Sequence, residues 1–271
     1  VPMEKLLAEA KDLADQGVKE LILVAQETTV YGKDLYGEKS LHKLLRELCK
    51  ISGIQWIRIL YCYPEEIYDE LIQTIKEENK VCHYLDLPIQ HASDAVLKRM
   101  GRRTSKAQLV EIIEKLRKEI PDISLRTTLI TGFPGETQEQ HEELKDFVDE
   151  MEFDRLGVFT YSPEEDTPAA TMTEQIPEEV KEERYHQLMA IQAKVSEIRN
   201  QELEGSVHTM LVERVEEEKG IRQAVGRIEI QAPDVDGLTY LEDAQDVQPG
   251  DMIPVRIAQG FAYDLVAERM D

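Results

Sequence analysis

A chain of 271 residues with 32 Lys and Arg against 55 Asp and Glu, a formal charge of −23, can bury one large core, or a large and a small one. That charge excludes general adhesion to phosphate backbones: a nucleic-acid partner would need a local basic patch, a basic protein would not. No run of 18 apolar residues reads as a membrane span and no leader pattern is visible, so the cytoplasm is the expected compartment.

The opening residues read as an amphipathic helix with Leu6, Leu7, Ala10, Leu13 and Ala14 on one face, stopped by Gly17. With no initiator Met, the start is expected to be internal to a longer protein. An apolar run over Leu21–Val24 predicts a strand. A helix over Leu41–Cys49 and a strand over Trp56–Leu60 follow. Pro64-Glu65-Glu66 is expected to open the next helix, and Tyr84–Leu87 to form another strand. Ser93 should cap a short helix reaching Met100, and Ser105 a longer one reaching Glu119. Strand Ser124–Ile130 runs into the Gly132-Phe133-Pro134-Gly135 turn. A helix over Thr137–Met151 and a strand over Leu156–Tyr161 complete the series.

Five strands alternating with helices predict a parallel sheet with crossover helices, open or closed as a barrel. The pattern then changes. Pro177–Leu203 reads as one long polar helix. Beyond Gly205 come four short strands, Val207–Val212, Ala224–Ile230, Met252–Ala258 and Tyr263–Ala267, with turns at Asp236-Gly237 and Pro249-Gly250-Asp251. The division is 1–203 and 204–271, the second part a small β-barrel. It carries 15 acidic and 6 basic residues.

Ligand sites in parallel sheets lie at the C-terminal strand ends. Gln26-Glu27-Thr28-Thr29, Tyr61 with Tyr63-Pro64, Gln90-His91, Thr131 and Tyr161-Ser162 sit there. Arg126 stands inside a strand that should be buried, so an anion should face it: a ligand carboxylate, or a structural ion pair as the plainer alternative. Gln90 can bond a ribose or an amino acid, and Glu27 a cationic ammonium unless it is only a solvated loop acid. His91 is a base, a ligand or a structural histidine. Cys49, Cys62 and Cys82 have no metal-site spacing and read as buried thiols. Phosphate-loop, dinucleotide, serine-nucleophile and zinc-helix signatures are absent.

Taken together, Ala25–Gly32, Tyr61-Cys62-Tyr63-Pro64, LDLPIQHAS with Leu97-Lys98-Arg99-Met100, RTTLITGFPGET and VFTYSPEEDTPAA resemble the methylthiotransferase branch of the radical S-adenosylmethionine (SAM) superfamily. The tail, with Ala232-Pro233-Asp234-Val235-Asp236-Gly237, resembles a TRAM domain. Likeness runs over essentially the whole chain. Ala25-Gln26-Glu27-Thr28 and the tail motif favour the RimO type over the tRNA-modifying type.

The resemblance implies an open partial (β/α) barrel followed by a small all-β TRAM barrel. It implies an enzyme, when full length, that adds a methylthio group to the β-carbon of an aspartate in a small-subunit ribosomal protein of the decoding centre. That partner is basic, which suits an acidic TRAM domain. The alternatives are a tRNA methylthiotransferase, with a basic TRAM face, and a non-enzymatic ribosome-docking module. SAM is the implied cofactor, with contacts from Gln26 and Glu27 (ammonium), Gln90 (ribose), Arg126 (carboxylate) and the Val158–Phe159 strand (adenine). The family's [4Fe–4S] clusters are held by cysteines upstream of these residues, so no cluster and no activity are expected of this chain alone. Two departures stand out: Glu27 where the family usually has Asp, and Asp166 where it usually has Gly.

Overall fold

The computed structural model describes residues 1–218, 220–242 and 244–270, without the side chains of Glu218 and Ile221. Its first part alternates helices and strands in this order: α1 (Met3–Asp15), β1 (Glu20–Leu23), α2 (Lys33–Tyr36), α3 (Leu41–Cys49), β2 (Trp56–Ile59), α4 (Asp69–Glu77), β3 (Val81–Asp86), α5 (Asp94–Arg99), α6 (Lys106–Glu119), β4 (Ser124–Thr131), α7 (Gln138–Met151) and β5 (Arg155–Thr160). All five strands pair in parallel, in sheet order β1-β2-β3-β4-β5. An order without reversal keeps every right-handed crossover on one face, as in a barrel. The sheet does not close, as the alternating pattern and the resemblance together predicted.

Alternation along the strands sorts the two faces. Leu21, Ile57, Ile59, Leu85, Leu125, Leu129, Leu156 and Val158 join the helices in one large apolar core. Register places Tyr84, Asp86, Ser124, Arg126, Arg155 and Gly157 on the opposite, inner face. Two helices begin with reciprocal capping boxes, Ser105 with Gln108 and Thr137 with Gln140.

Three features differ from the sequence-based expectation. Pro64–Glu66 is a separate 3₁₀ turn, and the helix starts only at Asp69. Between them Ile67 is extended, which lets Ile67 and Tyr68 pack against the core. Ser93 occupies the N-cap position of α5 without a hydroxyl cap; its backbone N–H instead donates to His91 Nδ1 at 2.9 Å. The terminal barrel has five strands, not four.

That barrel follows the 25-residue helix α8 (Glu178–Glu202). Its strands are β6 (Val207–Glu218), β7 (Ile221–Ile228), β8 (Thr239–Leu241), β9 (Met252–Gly260) and β10 (Leu265–Arg269), closed in the order β10-β8-β7-β6-β9. The unforeseen strand β8 is three residues long, too short to show alternation, and exists through its pairing with β7 and β10. Gly237 has a plain reason in this barrel: a Cβ there would overlap the Tyr263 carbonyl.

The barrel packs under the inner face of the sheet. Trp56, Cys82 and Tyr84 share a small core with Ala232, Leu211 and Met252. Arg58, buried on β2, donates to Glu20 at 2.8 Å and to the Glu229 carbonyl at 2.8 Å. Asn200 on α8 joins the parts, accepting from Arg155 at 2.9 Å and donating to the Phe261 carbonyl at 2.6 Å.

Candidate active site

Unburied apolar surface gathers where the strands end. Val24 is 61%, Tyr61 48% and Phe159 60% exposed, although each closes or follows a strand with a buried core face. Exposed apolar groups lining a polar mouth mark a place where something else binds. Strain collects there too: Tyr61 (φ 58°) and Gln90 (φ 73°) are non-glycine residues in the left-handed region.

Each strand end is fixed by local bonds. After β1, both oxygens of Glu27 accept backbone hydrogen bonds, from Thr29 at 2.9 Å and Tyr63 at 3.0 Å. Burial nevertheless dominates and raises its pKa to about 7. Gln26 beside it is exposed. After β3, Gln90 extends the ladder: its N–H donates to Thr128 and its carbonyl accepts from Ile130. Its side-chain Oε1 is buried without a hydrogen-bond partner, an acceptor waiting for a donor.

Asp86, at the end of β3, organises the centre. One oxygen accepts from the Tyr61 N–H at 3.2 Å and the other from Arg126 Nη1 at 2.8 Å. The anion expected opposite Arg126 is thus supplied at least in part by the chain, with Asp236 of the small barrel 3.5 Å from Nε. On β5, Gly157 faces inward between Arg126 and Phe159. A Cβ at this glycine would sit 3.6 Å from Nη2 and 4.0 Å from the Phe159 ring, so its absence leaves a gap. Val158 turns its side chain to the helical core and can offer the mouth only its backbone.

The Gly132–Gly135 turn is held from beneath. The buried carboxylate of Glu136 accepts from the Gly132 and Phe133 N–H groups and forms an ion pair with Arg184 at 3.1 Å. His141 and His91 lie 3.6 and 4.0 Å away. Burial alone would raise this carboxyl; the facing His141 and His91 rings and the Arg184 charge outweigh it and lower the pKa to about 2. His91 is fully buried here, behind the turn rather than in the mouth.

The structure therefore brings Arg126, Phe159 and the β5 backbone together, and sets Gln26 and Glu27 after β1 and Gln90 after β3, with β2 between them. Asp86, Gly157 and Asp236 were missed by sequence reasoning. Asp86, inside the LDLPIQHAS motif and polar within a buried strand, carried the same signal as Arg126. Gly157 and Asp236 carried none before the fold was known.

Residues 1–148, more than half of the chain, match the radical SAM superfamily. The chain belongs to this superfamily. Residues 205–270 match the TRAM domain. The chain is 57% identical over 266 residues to the ribosomal protein uS12 methylthiotransferase RimO of Lachnoclostridium phytofermentans, covering 98% of this chain and 60% of that protein. It is 51% identical over 263 residues to RimO of Clostridium botulinum, covering 97% and 58%. The chain thus spans about three-fifths of the length of these relatives. Coproporphyrinogen III oxidase (HemN) from Escherichia coli aligns with a TM-score of 0.53 at 20% identity, over 71% of this chain and 46% of that one. SuiB of Streptococcus suis aligns at 0.50 and 16%, over 72% and 41%. These two support the radical SAM fold alone.

Radical SAM proteins use SAM and a [4Fe–4S] cluster. The mouth fits SAM: Gln90 has a buried unpaired acceptor, Phe159 an exposed ring, and Gly157 leaves room between Phe159 and Arg126. The cysteines do not fit a cluster. Cys49, Cys62 and Cys82 lie on different elements, and burial raises Cys49 and Cys82 to about 12 and Cys62 well above its usual value. Among the described residues no three His, Cys, Asp or Glu side chains form a metal site, and no helix is long and apolar enough to cross a membrane.

Proposed function

We propose that residues 1–203 form the radical SAM core and residues 204–271 the TRAM domain of an enzyme that adds a methylthio group to the β-carbon of an aspartate in ribosomal protein uS12. The observation that carries this reading is the identity of 57% over 98% of the chain to a RimO. When bound, SAM supplies the radical chemistry together with a reduced [4Fe–4S] cluster.

The chain's own task in this reading is to bind and orient. Gln26 and Glu27 face the ammonium of SAM, and Glu27 carries its full charge only above about pH 7. Gln90 Oε1 accepts from the ribose. Arg126 meets a carboxylate, with Asp86 fixing one side of the guanidinium. The Phe159 ring and the Val158 backbone lie beside the adenine.

The partner is the basic uS12 of the decoding centre, met in the cytoplasm by the acidic TRAM domain. The test is mass spectrometry of uS12 from a strain without this gene, before and after complementation with the full-length gene. A methylthio-aspartate that returns with the gene supports the reading. An unmodified uS12 after complementation, or a methylthio group on tRNA instead, sinks it.

A further inference from the structure

The Arg126 guanidinium has three nitrogens, and the fold engages two. Nη1 donates to Asp86 Oδ1 at 2.8 Å and Thr128 Oγ1 at 3.2 Å. Nε lies 3.5 Å from Asp236 Oδ1. Nη2 makes no hydrogen bond to the described residues and lies at the gap left by Gly157. Arg126 and Gly157 line a cavity of about 350 Å³ that Asp236, Gly237 and Tyr263 wall from the TRAM side.

Asp236 is an unusual wall residue. Its Oδ2 is fixed by two donors, the Tyr84 hydroxyl at 2.7 Å and the Ala232 N–H at 2.8 Å. Its Oδ1 is buried with no hydrogen-bond partner. A buried carboxylate oxygen is costly unless an opposite charge faces it, and Arg126 is that charge.

We propose that Asp236 is a positioning residue for carboxylate recognition by Arg126. Asp86 holds the guanidinium from the neighbouring strand and Asp236 holds it from the TRAM domain, so Nη2 stays directed at the Gly157 gap. Contacts on two different nitrogens fix both the plane and the direction of the fork. With the Asp236 contact gone, Arg126 relaxes into a two-toothed pair with Asp86, which draws Nη2 off the cavity. The TRAM domain is then part of the ligand site as well as a docking module. The inference rests on the reading of Arg126 as a carboxylate contact. That carboxylate has two sources in the reaction, the amino-acid end of SAM and the target aspartate.

The sign of the effect separates positioning from charge. Deleting a negative charge near a carboxylate should tighten that ligand by Coulomb attraction alone; a loss of affinity requires misplacement of Arg126. The test is calorimetric titration of the full-length protein with SAM, with decarboxylated SAM, and with a target peptide carrying Asp or Asn. Asp236→Asn keeps an oxygen for Tyr84 and Ala232, so the turn is retained, and an unchanged unfolding midpoint verifies this. Expected is a loss of about ten-fold for whichever carboxylate ligand Arg126 holds, with the ligand lacking that carboxylate unaffected. Should Asp236→Asn fail to fold, Tyr84→Phe, which removes one anchor of Asp236, should weaken the same ligand about three-fold. Tighter or unchanged binding in the Asp236 variant (or in the Tyr84 variant standing in for it), alongside a weakened Arg126→Gln, overturns the inference. Unchanged binding in Arg126→Gln itself overturns the carboxylate reading beneath it.

Discussion

Glu20 at the foot of β1 and Arg227 on β7 form a buried ion pair, Oε2 to Nη2 at 2.5 Å, joining the first strand of the sheet to the TRAM barrel. The other oxygen of Glu20 accepts from Arg58 at 2.8 Å, so one carboxylate serves two buried guanidinium groups. Such a triad adds little net stability over an apolar substitute, but without Glu20 the buried Arg58 keeps only the Glu229 carbonyl among the described residues, while Arg227 retains Glu213 at 2.6 Å. Glu20→Gln should therefore destabilise the protein by about 3 kcal/mol. Urea unfolding measures this; a change under about 1 kcal/mol would mean that water relieves the two arginines.

Acid stability should depend on Glu136. Its carboxyl sits near 2 in the folded protein against 4.5 ordinarily. A depressed pKa contributes stability that is complete above the unfolded value and is lost as pH falls through the folded one. Between pH 4.5 and about 2 the wild type should lose on the order of 3 kcal/mol from this group. Glu136→Gln should be less stable at pH 7 and flatter over that window. Equal acid slopes in the two proteins would contradict the assignment.

Glu27 should act with the opposite sign. Burial raises it to about 7, so the folded state favours the protonated acid. Stability is then lost as pH rises from the unfolded value of 4.5 through 7. The carboxyl carbon of Glu27, followed by NMR, should titrate near 7. A midpoint below 5 would remove both the stability effect and the expected gain of SAM binding with rising pH.

Asp166 has φ 65°, a conformation that glycine adopts freely and aspartate at a cost. The glycine that the family resemblance implies at this loop position would thus have a backbone reason. Asp166→Gly should stabilise slightly, by about 0.5 kcal/mol, and Asp166→Ala should destabilise by about 1 kcal/mol. Thermal unfolding of the pair decides: if alanine is as stable as glycine, the left-handed conformation is not maintained in solution.

The alternating elements were legible because each strand was a short apolar run and the capping residues Ser105 and Thr137 stood where helices began. Helix α8 was legible as a helix but not as a core element. Its buried stripe includes Lys181, Arg184, Gln192, Ser196 and Asn200, which bury by hydrogen bonding, as Lys181 does to the Tyr161 carbonyl at 2.8 Å and Gln192 to the Phe153 carbonyl at 2.7 Å. Hydropathy is blind to such a face. The floor of the site was invisible for another reason. Tyr84 and Asp236 meet across 152 residues of sequence, and no periodicity encodes which loop of a second domain closes a sheet. The strand ends themselves were legible, because they follow from the strands, and polar residues there are few.

The acidic TRAM surface makes the last prediction. Glu216 and Glu217 are exposed near the end of β6, while the Glu218 side chain lies outside the described residues. Glu216 is partly neutralised by Arg214 at 2.6 Å, so among the described residues Glu217 presents the freer charge. If this edge steers a basic partner, Glu217→Lys should slow association with uS12 more than Glu216→Lys, and both effects should fade as salt shortens the screening length. Dissociation should change little, since rim charges act mainly on encounter. The comparison belongs on full-length protein at moderate salt, with uS12 and tRNA as separate ligands. Counterion release favours a basic surface on phosphate, so the unmodified acidic domain should bind tRNA more weakly than uS12. Tighter binding to tRNA would favour the tRNA-modifying reading. Unchanged association with uS12 in both variants would move the docking surface away from this edge, with the exposed Val235 and Tyr263 beside the Asp236 turn as the next surface to mutate.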